Sequence, residues 1–140
     1  MHVNIYIDCD NTLKATEKKY GYVLQCFTTK GERTKEGFGK LSGTHHKVTL
    51  HAMIDALNRM TQPSEITIYT PNTFVANMYD HYLPDWAKHD FKKTSIEPIA
   101  NAEEWKQIWE ESHKHSIRME PGKHQFSEWI LEEANRRLHQ

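Results

Sequence analysis

The sequence predicts an α/β domain built on a mixed five-stranded sheet with helices on both faces, in the order βββαβααβα. Two observations carry this. Strand-type segments bounded by turn residues fill the first forty positions, and from Lys47 onward segments of helical period alternate with short β-branched runs. A three-strand meander before any helix implies an antiparallel start. Strands separated by helices imply parallel pairing thereafter.

The first strand is Val3 to Asp8, where Val3, Ile5 and Ile7 alternate with Asn4, Tyr6 and Asp8 before the turn-forming Asp10-Asn11-Thr12. The second is Tyr20 to Thr28. Thr29 to Glu32 reads as a hairpin turn, and Arg33 to Leu41 is a third strand weakened by Gly37 and Gly39. From Lys47, Thr49, Met53, Ala56, Leu57 and Met60 mark the buried stripe of a helix that Pro63 closes. Glu65 to Thr70 is the fourth strand. Thr70-Pro71 pairs an N-cap type with proline at a first helical position, which predicts a helix beginning at Pro71. Met78 to Phe91 reads as short helices and a loop broken by Pro84. Ala102, Trp105, Ile108 and Trp109 define a further helix face, Ser116 to Glu120 the last strand and Ser127 to Leu138 the terminal helix.

Composition narrows the function classes. The 140 residues suit one domain spanning 1–140, and 37% hydrophobic residues exclude a disordered chain. No run of 18 apolar residues exists, and the N-terminus lacks a basic stretch followed by an apolar core. The expectation is a cytoplasmic chain, neither membrane-spanning nor secreted, with Cys9 and Cys26 reduced. A formal net charge of −1 gives no global attraction to a polyanion, so any nucleic-acid surface must be local.

Several segments are more specific. Asp8 ends the first strand, Tyr20-Gly21 follows in the second, and Thr44-His45-His46-Lys47-Val48-Thr49-Leu50 leads into Ala56-Leu57. Ile68-Tyr69-Thr70-Pro71-Asn72-Thr73-Phe74-Val75 joins the fourth strand to the next helix, and Pro98-Ile99-Ala100-Asn101 with Trp105 comes later. Together these resemble ribonuclease H type 1 over nearly the whole chain. In that family the middle segment reads Thr-Asn-Asn-Arg-Met-Glu-Leu, and the fourth strand ends in Thr-Asp-Ser.

The resemblance implies cleavage of the RNA strand of RNA/DNA hybrids by four carboxylates that hold two Mg²⁺ ions. Residue by residue, the implied set is incomplete. Asp8 matches the first-strand carboxylate. Thr49 stands in place of the helix Glu and Pro71 in place of the fourth-strand Asp, and neither supplies a carboxylate. The last carboxylate falls at Leu131 or Glu132; hydrophobic phase favours Leu131, and chemistry favours Glu132. Asp10, two residues along an extended chain from Asp8, is a candidate substitute ligand. Asp8, Asp10 and Glu132 are therefore the catalytic remnant, with Asp8 and Asp10 expected to hold at most one weakly bound Mg²⁺.

The resemblance also places a hybrid-binding surface on Thr44, His45, His46, Lys47 and Asn72, and on an aromatic and basic handle of Tyr82, Trp86, Phe91 and Lys92. The reading is a degenerate ribonuclease H that retains nucleic-acid binding. Three alternatives stay open: a scaffold for a protein partner, an active enzyme with a relocated metal site, and a transition-metal site on His113, His115 and His124 or on His45 and His46.

Overall fold

The computed structural model of the chain describes residues 1–139. Its nine elements follow the expected order: β1 (His2–Cys9), β2 (Thr16–Thr28), β3 (Gly31–Gly43), α1 (His45–Leu57), β4 (Glu65–Thr70), α2 (Thr73–Lys88), α3 (Ala102–Ser112), β5 (Ser116–Pro121) and α4 (Ser127–Arg137). The strands form one sheet in the order β3-β2-β1-β4-β5. β1–β2 and β2–β3 are antiparallel, whereas β1–β4 and β4–β5 are parallel, as the connection lengths require.

Alternation along β1 divides the core between the two faces of the sheet. Val3, Ile5, Ile7 and Cys9 join Val48, Leu50, Met53, Leu57, Leu83, Trp105 and Ile108 in a large core beneath α1, α2 and α3. Tyr6 and Val23, on the other face, pack with Ile130 of α4 in a small second core. Asp8 shares the strand parity of Tyr6 and so points to the thinly covered α4 face.

Glycine fits the sheet where large rings cross it. Tyr22 pairs with Gly37 and Tyr20 with Gly39, and an added Cβ would lie 2.3 Å and 2.5 Å from the respective tyrosine hydroxyls. Gly37 and Gly39 therefore seat the two tyrosines rather than simply weakening β3. β2 starts four residues earlier than its apolar alternation suggests, because Lys18 is buried with its ammonium donating to Lys14 O and Thr16 Oγ1.

Two expectations after β4 are corrected. The helix does not begin at Pro71: Asn72 is the N-cap, its Oδ1 accepting from Val75 N at 2.9 Å, while Thr70 Oγ1 accepts from Asn72 N. Nor does Pro84 break the segment, because α2 runs through it. Pro84 is exposed, so the carbonyl that loses its helical partner faces water, and buried Leu83 with half-buried Ala87 holds the helix to the core. α2 ends in a Schellman-type motif, with Phe91 N donating to Trp86 O and Asp90 N to Ala87 O. Asp90 and Phe91 take φ values of 54° and 56° there, positions usually left to glycine.

Candidate functional site

The C-terminal end of β1 opens into a cleft of about 640 Å³. Asp8 and Asp10 line it together with Glu17, Pro71, Lys123 and Leu131. Asp8 is only 7% exposed. Its Oδ1 accepts from Cys9 N at 2.8 Å, and its carboxylate also bonds Ser127 at the start of α4. Burial pushes the Asp8 carboxyl above its ordinary range, opposed by those two hydrogen bonds and by nearby His124 and Lys123.

This sets a prediction. With the folded pKa above the unfolded value of about 3.9, the native state carries the full cost of the charge at neutral pH, and that cost disappears as pH falls to the unfolded pKa. Asp8→Asn should raise the urea midpoint at pH 7 and leave it unchanged near pH 3. An equal shift at both pH values would mean that the buried charge is not its source.

Asp10 is exposed and takes part in a local turn. Its Oδ1 accepts from Thr12 N at 2.8 Å and Thr12 Oγ1 at 2.6 Å, bonds that hold its carboxyl below the ordinary range. Pro71 reaches the same cleft from the end of β4. Thr49 lies on the other side of the strand, 1% exposed, and meets Cys9 rather than Asp8, with Sγ and Oγ1 3.6 Å apart. Its hydroxyl donates to His45 O at 2.8 Å and accepts from Asn72 Nδ2 at 3.2 Å. Asn72 Nδ2 also lies 3.0 Å from His46 Nδ1, so Thr49, Asn72 and His46 tie the starts of α1 and α2 together.

At α4 the two candidate residues differ in placement. Leu131 lines the cleft; Glu132 is exposed and lies outside its lining. Sequence reading missed Glu17, Lys19 and Lys123 in the lining. The early start of β2, hidden by buried Lys18, is what brings Glu17 and Lys19 to this end of the sheet.

Residues expected to bind nucleic acid divide into surface and interior. Thr44 caps α1, accepting from Lys47 N at 3.2 Å. His46 stacks on Phe74 with centroids 4.2 Å apart, and Phe74 is 50% exposed. His45 Nδ1 lies 3.0 Å from Asp10 O. Burial lowers the pKa of His45, His46 and His124, which favours neutral rings. Tyr82 is exposed and stacks on Trp86, whose ring also packs against Trp105. Lys92 is exposed near Asp90. Two expectations are corrected: Asn72 is 3% exposed with its amide committed to the α1–α2 link, and Phe91 is 6% exposed in the large core, so neither is presented to a ligand.

The donor set does not fit a pair of Mg²⁺ ions. Mg²⁺ demands hard oxygen ligands in octahedral array; beside Asp8, Asp10 and Glu17 the cleft offers a proline ring and a leucine, and Thr49 has its hydroxyl engaged on the far side of β1. Among the described residues, no three His, Cys, Asp or Glu side chains are grouped to hold a metal ion. That also leaves His113, His115 and His124 apart as ligands; they bond instead to Trp109 O, Ser64 N and Ile7 O.

A mixed sheet in this order, with a carboxylate at the end of its central strand, defines a ribonuclease H-type domain. The RNase H family model matches residues 1–122, and the chain belongs to that family. Ribonuclease H of Cereibacter sphaeroides is 33% identical over 86 residues, covering 61% of this chain and 56% of that protein. The chain thus spans little more than half the length of such relatives. A type 1 RNase H with the type 2 active-site motif superimposes with a TM-score of 0.76 at 17% identity, over 92% of this chain and 68% of that one. Another RNase H, solved in complex with RNA/DNA hybrid, gives 0.66 at 14% identity over 99% of both chains. Both likenesses speak for the fold. No described helix is long and apolar enough to cross a membrane.

Proposed function

We propose that this chain is a single-domain, cytoplasmic hybrid-binding member of the family in which Mg²⁺-dependent cleavage of the RNA strand is lost or strongly impaired. The observation that carries the reading is the chemistry around Asp8: Pro71 and Leu131 share its cleft, and Thr49 is turned into a hydrogen-bonded link. Two-metal catalysis clamps the attacking and leaving oxygens between a pair of ions, and without the ligands for that pair most of the rate is lost. Asp8 and Asp10 remain as a site for at most one weakly held Mg²⁺. Hybrid binding then rests on Thr44, His45, His46 and Lys47 at the start of α1, and on Tyr82, Trp86 and Lys92 of the handle.

Binding and cleavage are tested separately. Fluorescence anisotropy with a labelled RNA/DNA hybrid should show sequence-independent affinity that falls steeply with salt, and Lys47→Ala with Lys92→Ala should flatten the log–log slope by about one per lysine. An unchanged slope would place the contact elsewhere. No hybrid binding at low salt would favour a scaffold for a protein partner. Cleavage by the unmodified chain that Asp8→Asn abolishes would overturn the inactive reading and make Asp10 and Glu17, which share the cleft, the first ligands to test.

A further inference from the structure

At the opposite end of the sheet lies a second cavity, of about 440 Å³. Its floor is apolar: Val3 and Leu24 are buried, and Cys26 and Met60 are half-buried beside them. Its rim carries three cations, Arg33, Lys35 and Arg59, and no carboxylate lines it. The chain has 19 acidic residues against 18 Lys and Arg, so a cluster of one sign without counter-charge departs from its average surface. Of the acidic residues on β2, β3 and α1, Glu17 lines the Asp8 cleft, Glu36 pairs with Arg137, Asp55 accepts from Tyr20, and Glu32 accepts from Gln25 of the cavity lining.

Register explains the arrangement. Leu24 pairs with Lys35 and Cys26 with Arg33, so both cations share the sheet face that α1 covers. Arg59, just beyond the end of α1, approaches the same cavity, and its Nη1 donates to the hydroxyl of buried Tyr22 at 2.9 Å. Tyr22 is seated by Gly37, so the guanidinium is oriented from within the fold while its other donors have no protein partner among the described residues. The side chains of Arg33 and Lys35 likewise have no hydrogen-bond or ion-pair partner among the described residues. Like charges gathered around one cavity repel each other, and an anion relieves that repulsion. Arginine donors match the oxygens of a phosphate group in particular.

We propose that this cavity binds a small organic phosphate, with the phosphate on Arg33, Lys35 and Arg59 and the apolar body on Leu24, Cys26 and Met60. The site is separate from the Asp8 cleft and does not depend on hybrid binding. The test is a methyl NMR titration of the full chain with octyl phosphate, adenosine 5′-monophosphate and inorganic phosphate. At least one of the two organic phosphates should shift the Leu24 and Met60 methyls and bind at least about tenfold more tightly than inorganic phosphate. Arg33→Gln with Lys35→Gln should weaken that binding at least about tenfold. These side chains make no bonds within the fold, so the double variant keeps its structure, whereas Arg59→Gln also releases Tyr22. The proposal fails if no probe shifts these methyls at millimolar concentration. It also fails if inorganic phosphate binds equally well, or if removing the two charges leaves affinity unchanged.

Discussion

Thr49→Glu, Pro71→Asp and Leu131→Asp introduced together should give Mg²⁺-dependent cleavage of an RNA/DNA hybrid at least about 100-fold above the unmodified chain. Asp8→Asn should abolish the gain. Thr49 and Pro71 stand where the family resemblance calls for carboxylates, Leu131 is one of its two candidates for the last, and the structure brings Pro71 and Leu131 to the cleft that Asp8 lines. Leu131 is 38% exposed, so an aspartate there is readily hydrated. Thr49 is the demanding position because it is buried, but Asn72 Nδ2, which now donates to the threonine hydroxyl, can donate to a glutamate. Each single change leaves the ligand set incomplete, so the effects should be strongly non-additive. A folded triple variant that binds hybrid without cutting it would show that the missing ligands are not what silences the site.

Much of the fold was legible because its determinants are local. Val3, Ile5 and Ile7 alternate, Met53, Ala56 and Leu57 keep helical period, and each becomes the core contact that its pattern requires, although α1 ends at Leu57, short of Met60 and Pro63. The misreadings arise where one residue type serves a purpose opposite to its statistics. Lys18 looks like a solvated strand end, yet its ammonium is satisfied by Lys14 O and Thr16 Oγ1, which let it be buried and conceal four residues of β2. Pro84 looks like a helix breaker, and on the exposed side of α2 it is tolerated. Gly37 and Gly39 look like weak points and instead seat Tyr22 and Tyr20 from the neighbouring strand, a relation fixed only by register.

The site was legible in its frame and less so in its detail. Asp8 and Pro71 sit where strand ends put them. Whether Leu131 or Glu132 faces Asp8 depends on the rotation of α4, which Ile130 and Ala134 set by facing inward. Glu17, Lys19 and Lys123 reach the cleft from segments far apart in sequence, and no spacing pattern announces them. Phe91 shows the converse: an aromatic beside lysines reads as a stacking platform, whereas its backbone turn carries it into the core.

Ile130→Ala should cost about 2–5 kcal/mol, because the side chain is fully buried and few other residues fill the small core. For a chain of this size that corresponds to a melting temperature lower by roughly 5–15 °C. The loss should be uneven, because α4 is held to the sheet through Ile130, Ala134 and the contacts of Phe126 and Trp129, while α1, α2 and α3 share the larger core. Amide exchange should therefore accelerate in α4 before it does in β1, β2 or α1. The site should respond too. Asp8 is desolvated beneath the start of α4, so loosening that helix admits water and should bring its carboxyl back toward the ordinary range. Carboxyl NMR titration of Asp8 in Ile130→Ala reads this directly, with a lower pKa expected than in the unmodified chain. An unchanged Asp8 titration beside faster α4 exchange would show that β1 and its loop, not α4, keep water from the carboxylate.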